Sequence, residues 1–336
     1  MRGSLLGKPA ADSDAAKTSR SKIQSMKTNT IFNPRAFLRS LFAIAALFAA
    51  PAVGRAAFMY VSSSGSQIID QVSSTGVVST FATLPVNSGP QGLAFDASGN
   101  LYAACVFTNL ISKITSGGTV STFVSAVGGP VGLAIDSSGS FYVANQGNNT
   151  VTKYTSGGFL SSTWGLPSGS GPNGLAIDIS GNLYAADEHT NQISKITSGG
   201  TVSLFASGLS GPAGLAFDGS GNLYVANEIT DQISMITSGG VVSVFATLPA
   251  GSSPQGLAFD GSGNLYAADF GTNQISMISP DGLTVSTFAT GITRPLFIAL
   301  APVPEPASAV LLLAGGALLA NRRRRSRCVD VCSAIE

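Results

Sequence analysis

Short apolar runs alternate with Gly-, Ser- and Asn-rich turns along most of the chain, and the same order of run and turn keeps returning. Residues 171–210, GPNGLAIDISGNLYAADEHTNQISKITSGGTVSLFASGLS, hold one full unit. GLAID is closed by the turn DISGN, in which Asp and Ser bond local amides and Gly supplies a positive φ. LYAAD follows, then QISKIT, then a TSGG hairpin into TVSLFA. In the third run Ile193, Lys195 and Thr197 share one face and Ser194 and Ile196 the other, the period-two pattern of a strand. The first two runs are apolar or small throughout, as expected of strands buried on both sides near an axis. No window shows helical periodicity, which excludes an α-solenoid.

The unit recurs. Its opening proline stands at Pro90, Pro130, Pro172, Pro212, Pro254 and Pro295, with spacings of 40, 42, 40, 42 and 41. Four strand-like runs at a period near 40 predict propeller blades. Ala57–Val61 is a second-type strand with no first strand before it, and residues 66–72 and 77–82 supply its third and fourth partners. Arg294–Leu300 is a first-type strand with nothing after it. The two incomplete ends make one whole blade, which also removes the exposed strand edges. The predicted fold is all-β: a six-bladed β-propeller of four-stranded blades, closed by N-terminal strands joined to a C-terminal strand, with a flanking N-terminal signal helix and a C-terminal transmembrane helix.

The motifs P-x-G-L-A-x-D, S-G-N-L-Y-x-A-D/N and N-Q-I-S-x-I, read from Pro172 to Ile196, resemble the NHL family of six-bladed propellers over about residues 57–300. Gln192, Gln232 and Gln274 stand where that family usually has a basic residue, so its basic surface roles do not carry over. The wider superfamily includes metal-dependent lactonases and lyases. The resemblance thus implies an enzymatic alternative with a divalent metal in the channel.

Charge is segregated. The net charge is +1, yet between Ala57 and Leu300 four bases (Lys113, Lys153, Lys195, Arg294) face twelve acids, 4 − 12 = −8. An acidic body without a basic stripe excludes nucleic acid as the partner. Of the three cysteines, Cys105 is alone in the body and Cys328 and Cys332 lie in the tail, so there is no disulfide framework.

The ends carry addresses. Residues 1–25 are polar and pattern-free, read as an upstream start that is disordered or absent in the mature protein. Residues 26–56 read as a signal peptide for signal peptidase: Lys27, Arg35 and Arg39 precede the apolar run Leu41–Ala50, and small residues follow. Residues 57–301 form the propeller. Residues 302–336 resemble the PEP-CTERM sorting signal of exosortase-dependent surface proteins of Gram-negative bacteria. Pro304-Glu305-Pro306 comes first, then the apolar stretch 307–320, then a basic tail over 322–327 with Arg322, Arg323, Arg324 and Arg325. The arginines would hold the tail in the cytoplasm while the apolar helix rests transiently in the inner membrane. The Pro-Glu-Pro would then lie non-helical at the outer face for an exosortase-type enzyme.

Candidate chemistry collects in the loops between second and third strands. The residues are Phe107, Asn145, Asp187, Glu188, His189, Asn227, Glu228, Asp269 and Phe270. Asn145, Asp187, Asn227 and Asp269 recur in register, so each is expected to end its strand by bonding nearby loop amides. Cys105 takes that place in one copy. Trp164 is expected to replace the fourth-strand Phe. With His189 as the only histidine, no Ser-His-Asp set forms, and neither a catalytic residue nor a metal ligand is assigned. Two functions follow: a non-enzymatic exported propeller binding an envelope or matrix protein or polysaccharide without cofactor, or a secreted metal-dependent hydrolase-, lactonase- or lyase-type enzyme.

Overall fold

The computed structural model describes residues 58–125 and 128–302. The expected signal helix, the 307–320 helix and the sorting residues from Pro304 onward lie outside the described residues. Among the described residues no helix is long and apolar enough to cross a membrane.

Six antiparallel four-stranded sheets follow one another as blades. In each full copy the strands lie in sequence order, for example Pro172–Ile177, Leu183–Asp187, Gln192–Ile196 and Val202–Ser207 in the fourth blade. The first blade is composite: Pro295–Leu300 pairs antiparallel with Met59–Ser63, which is followed by Ile68–Val72 and Val78–Thr83. Met59 stands opposite Leu300, and Ala301 N–H bonds Phe58 C=O at 3.0 Å. The ring therefore closes as the incomplete end copies required.

The core lies between blades. Leu183 and Ala185 of the fourth blade pack toward the third, and Tyr184 and Ala186 toward the fifth. All five residues of each second strand are buried for this reason. Buried apolar residues form six such clusters, one per blade interface, so a single blade has no core of its own. The inner strands approach backbone to backbone. A Cβ on Gly132 or Gly214 would collide with the carbonyl oxygen of Asn173 or Gln255 on the next blade.

The D-x-S-G-N turns fasten one end of each blade. Asp178 accepts the Ser180 and Asn182 amides through Oδ1, and the Asn182 Nδ2 and Tyr184 hydroxyl through Oδ2, at 2.8–3.1 Å. Burial opposes its charge, but these bonds outweigh it and hold the carboxyl below its usual range. Asp96, Asp218 and Asp260 repeat the arrangement, and at Asp136 the Ser138 hydroxyl donates in place of the asparagine Nδ2. Both chain exits, at Phe58 and Pro302, lie at this turn end of the ring, because Met59 begins its strand where Leu300 ends its own.

Candidate functional site

The opposite end of the ring carries the loops between second and third strands together with the links between blades. Backbone bonds tie the two sets: Phe107 N–H to Ser88 O, Gln146 N–H to Gly129 O, His189 N–H to Ser170 O, Ile229 N–H to Ser210 O and Gly271 N–H to Ser252 O. A second tie comes from residues that the sequence reading did not single out. Asn109, Asn149, Asn191, Asp231 and Asn273 adopt left-handed backbone just before the third strands. Their side-chain Oδ1 atoms accept the amides of Gly129, Gly171, Gly211, Ser253 and Arg294 at 2.7–2.9 Å, lacing each blade to the next. The recurring Asn before Gln in T-N-Q was the signal for them.

The strand-ending residues bond chiefly across the sheet, in place of the loop amides expected of them. Each bonds a third-strand hydroxyl seven residues on. Asn145 Nδ2 donates to Thr152 at 2.7 Å and Asn227 Nδ2 to Ser234 at 2.9 Å. Ser194 and Ser276 donate to Asp187 and Asp269 at 2.5 Å. Cys105 faces Ser112 at 3.4 Å, and the first blade reverses the pair as Ser63 to Asp70. A strand's side chains point across the sheet, which places these polar tips over the neighbouring strand inside the blade. Of the four Asp/Asn residues, Asn227 alone also reaches a loop amide, that of Ser210.

The bond leaves a residue of cost in two blades. Asp187 and Asp269 are 0 % exposed, and the Oδ1 of each has no partner among the described residues. Burial pushes both carboxyls up to about 6, with the serine bonds pulling the other way. Burial likewise pushes the Cys105 thiol up, so it packs as a small apolar group and is not activated as a nucleophile.

Other loop residues break the repeat. Glu188 Oε2 accepts Gln146 Nε2 and Asn173 Nδ2, both at 2.9 Å, which joins the third blade to the fourth. Asn173 is 6 % exposed and its Oδ1 has no partner among the described residues. His189 is exposed, with its ring against Gly171, where a Cβ would strike it. Glu228 accepts Ser253 Oγ at 3.4 Å. Phe270 lies under the Arg294 guanidinium at 5.5 Å, whereas Phe107 and Ile229 project into solvent at 72 % and 73 % exposure. The structure thus puts all nine candidate residues at one end of the ring but turns Asn145, Asp187, Asn227 and Asp269 into the blades. Among the described residues no three His, Cys, Asp or Glu side chains converge as a metal ion requires.

Comparison with known proteins extends this picture. The chain is similar to solved structures of the selenomethionine-substituted virginiamycin B lyase of Staphylococcus aureus, at 18% identity and TM-score 0.59, covering 74% of this chain and 92% of that one. It is similar to a catalytically inactive His-to-Ala variant of that lyase with quinupristin, at 18% identity and TM-score 0.58, covering 74% and 94%. A nidogen/laminin complex matches at 22% identity and TM-score 0.65, covering 74% and 99%. At such identities the likeness is one of fold. No curated protein sequence matches the chain. The profile of the virginiamycin B lyase family matches residues 88–302, and that of the PEP-CTERM protein-sorting motif matches residues 302–325, which signals export and sorting through exosortase. The chain belongs to the virginiamycin B lyase family and is an exported propeller that carries a PEP-CTERM sorting motif directly after its last strand.

Proposed function

We propose that this exported propeller reaches the cell surface and uses its loop end to bind a protein or polysaccharide of the envelope or matrix. The observation that carries the reading is one of placement. Several features that differ between blades lie opposite both chain exits: exposed Phe107 and Ile229, His189, and the Gln146–Glu188–Asn173 bridge. A chain held by its C-terminal segment directs that end outward. Exposed aromatic and aliphatic anchors ringed by amides and carboxylates suit recognition. In the exported protein, replacing Phe107, His189 and Ile229 together by Ala should lower binding to isolated envelopes and matrix at least tenfold with an unchanged Tm. Undiminished binding refutes the reading.

Family membership favours a second reading, a lyase- or hydrolase-type enzyme. The S. aureus relative is catalytically inactive as a His-to-Ala variant, and this chain has one histidine, His189, at the loop end. Under the binding reading, the exported protein leaves quinupristin intact with magnesium, calcium, manganese or zinc, and none of these raises its Tm. Turnover that disappears in His189→Ala would establish the enzyme instead.

A further inference from the structure

The interface between the third and fourth blades is built differently from the others. In five blades a fourth-strand Phe (Phe81, Phe123, Phe205, Phe245 or Phe288) meets the second-strand Tyr edge-on, with centroids 4.7–4.9 Å apart. The carbonyl of that Phe lies against the hairpin glycine of the following blade, as Phe205 O does against Gly240. The third blade's fourth strand, Leu160–Gly165, reads LSSTWG. Val151 pairs with Trp164 as Ile193 pairs with Ala206, so Thr163 falls where the Phe belongs and Trp164 one place later. This corrects the expectation that Trp164 takes the Phe position. The register shift moves as well, from between Ile193 and Ser194 in the fourth blade to between Lys153 and Tyr154 in the third.

The exchange opens a cleft. Trp164 lies flat along Tyr142, with centroids 6.2 Å apart and planes 12° apart, and its Nε1 edge faces Gly200 of the next blade. Beside it is a cavity of about 230 Å³ lined by Tyr142, Lys153, Ser162, Trp164, Thr197 and Ser198. The indole N–H makes no hydrogen bond among the described residues. The cleft offers a partly exposed indole with its N–H, an ammonium, and the hydroxyls of Ser162, Thr197 and Ser198 beside that of Tyr142.

We infer that this cleft is a saccharide-binding site that takes one neutral pyranose ring of a glycan. An indole gives a broad apolar surface for the C–H face of a sugar, with a donor at its edge. Hydroxyls and an ammonium suit the sugar's own hydroxyls, which both donate and accept. The volume is below the ~300–1,000 Å³ of sites for drug-sized ligands, which limits the occupant to a single ring. Lys153 already lies 3.8 Å from Asp136 Oδ2 and 5.0 Å above the Tyr142 ring, and the body is acidic, so a neutral sugar fits better than a uronate. The site stands apart from the loop end: Gly181 and Ser198–Gly200 of its lining belong to the turns at the other end of the blades.

Trp164 is the only tryptophan of the chain, so emission reports on this cleft alone. The full exported protein is titrated with oligosaccharides ending in glucose, galactose, mannose or N-acetylglucosamine, and with a glucuronate-terminated one. At least one neutral probe should give a saturable change in emission at millimolar concentration or below. Lys153→Met and Ser162→Ala should each weaken it at least fivefold with unchanged Tm, and calorimetry should find binding lost in Trp164→Ala. The triple loop-end variant should titrate as the parent does, whatever the fate of the loop-end reading. No saturable change with any neutral probe, tighter binding of the glucuronate probe, or binding indifferent to these substitutions overturns the inference.

Discussion

Ile298→Asp should destabilise the ring by about 4 kcal/mol, the cost of an unpaired charge in a packed core. Ile298 is 7 % exposed and packs with Met59, Val61, Val72, Tyr266 and Ala268 where the last blade meets the composite one. It also stands opposite Val61 in the pairing that joins the two chain ends. An aspartate there has no cation near it, since the four bases of the body are Lys113, Lys153, Lys195 and Arg294, none in that cluster. The effect should exceed that of the same change on one outer strand, because losing this strand exposes two blade faces. Ile298→Val, which trims one methylene, should cost about 1 kcal/mol. Urea denaturation of the exported protein checks both. A loss under 1 kcal/mol for the aspartate would mean that the seam does not hold the ring.

Asp187→Asn combined with Asp269→Asn should stabilise the propeller at pH 7 by on the order of 5 kcal/mol. Each carboxyl titrates near 6 when folded and near 3.8 when free, so the folded state holds more protons between these values. The stabilising contribution of each neutral carboxyl is complete below about 4 and is lost as pH rises through 6, at roughly 3 kcal/mol per group. Asparagine removes the titration, and Asn145 and Asn227 already fill the same place against a hydroxyl. The turn aspartates act with the opposite sign. Their lowered values lend stability above 3.8 that disappears as pH falls further. Stability should therefore peak near pH 4 in the parent, and in the double variant the fall from pH 4 to 6 should flatten. Melting curves from pH 3 to 8 test this, and an unchanged slope would show that the two carboxyls are ionised in the folded state.

Most of the fold could be read from the chain because its local signals agree with one another. The D-x-S-G-N and T-S-G-G turns fix where strands end, and Met59–Ser63 and Pro295–Leu300 count the blades by being halves of one. What escaped the sequence depends on contacts across strands and blades. Asp187 looks like a loop residue until its partner, Ser194, is known to lie across the sheet. Asn191 looks like turn filler, and its role appears only with Gly211 of the next blade beside it. Trp164 was misplaced by one position because LSSTWG lacks the alternation that would fix its register. At the loop end the sequence named the residues but not their direction, which decides that Phe107 meets solvent while Asp187 does not.

The seam also makes the molecule mechanically uneven. Pro295–Leu300 is separated from the sorting motif at residues 302–325 by a single residue, and its last pairing is with Met59. A pull on the C-terminal segment meets that ladder at its end and loads its hydrogen bonds one after another, as a zipper is drawn. The other five blades are continuous within themselves and carry no such load. If the protein is held by that segment, drag should open the ring at Pro295–Leu300 before any other blade unravels.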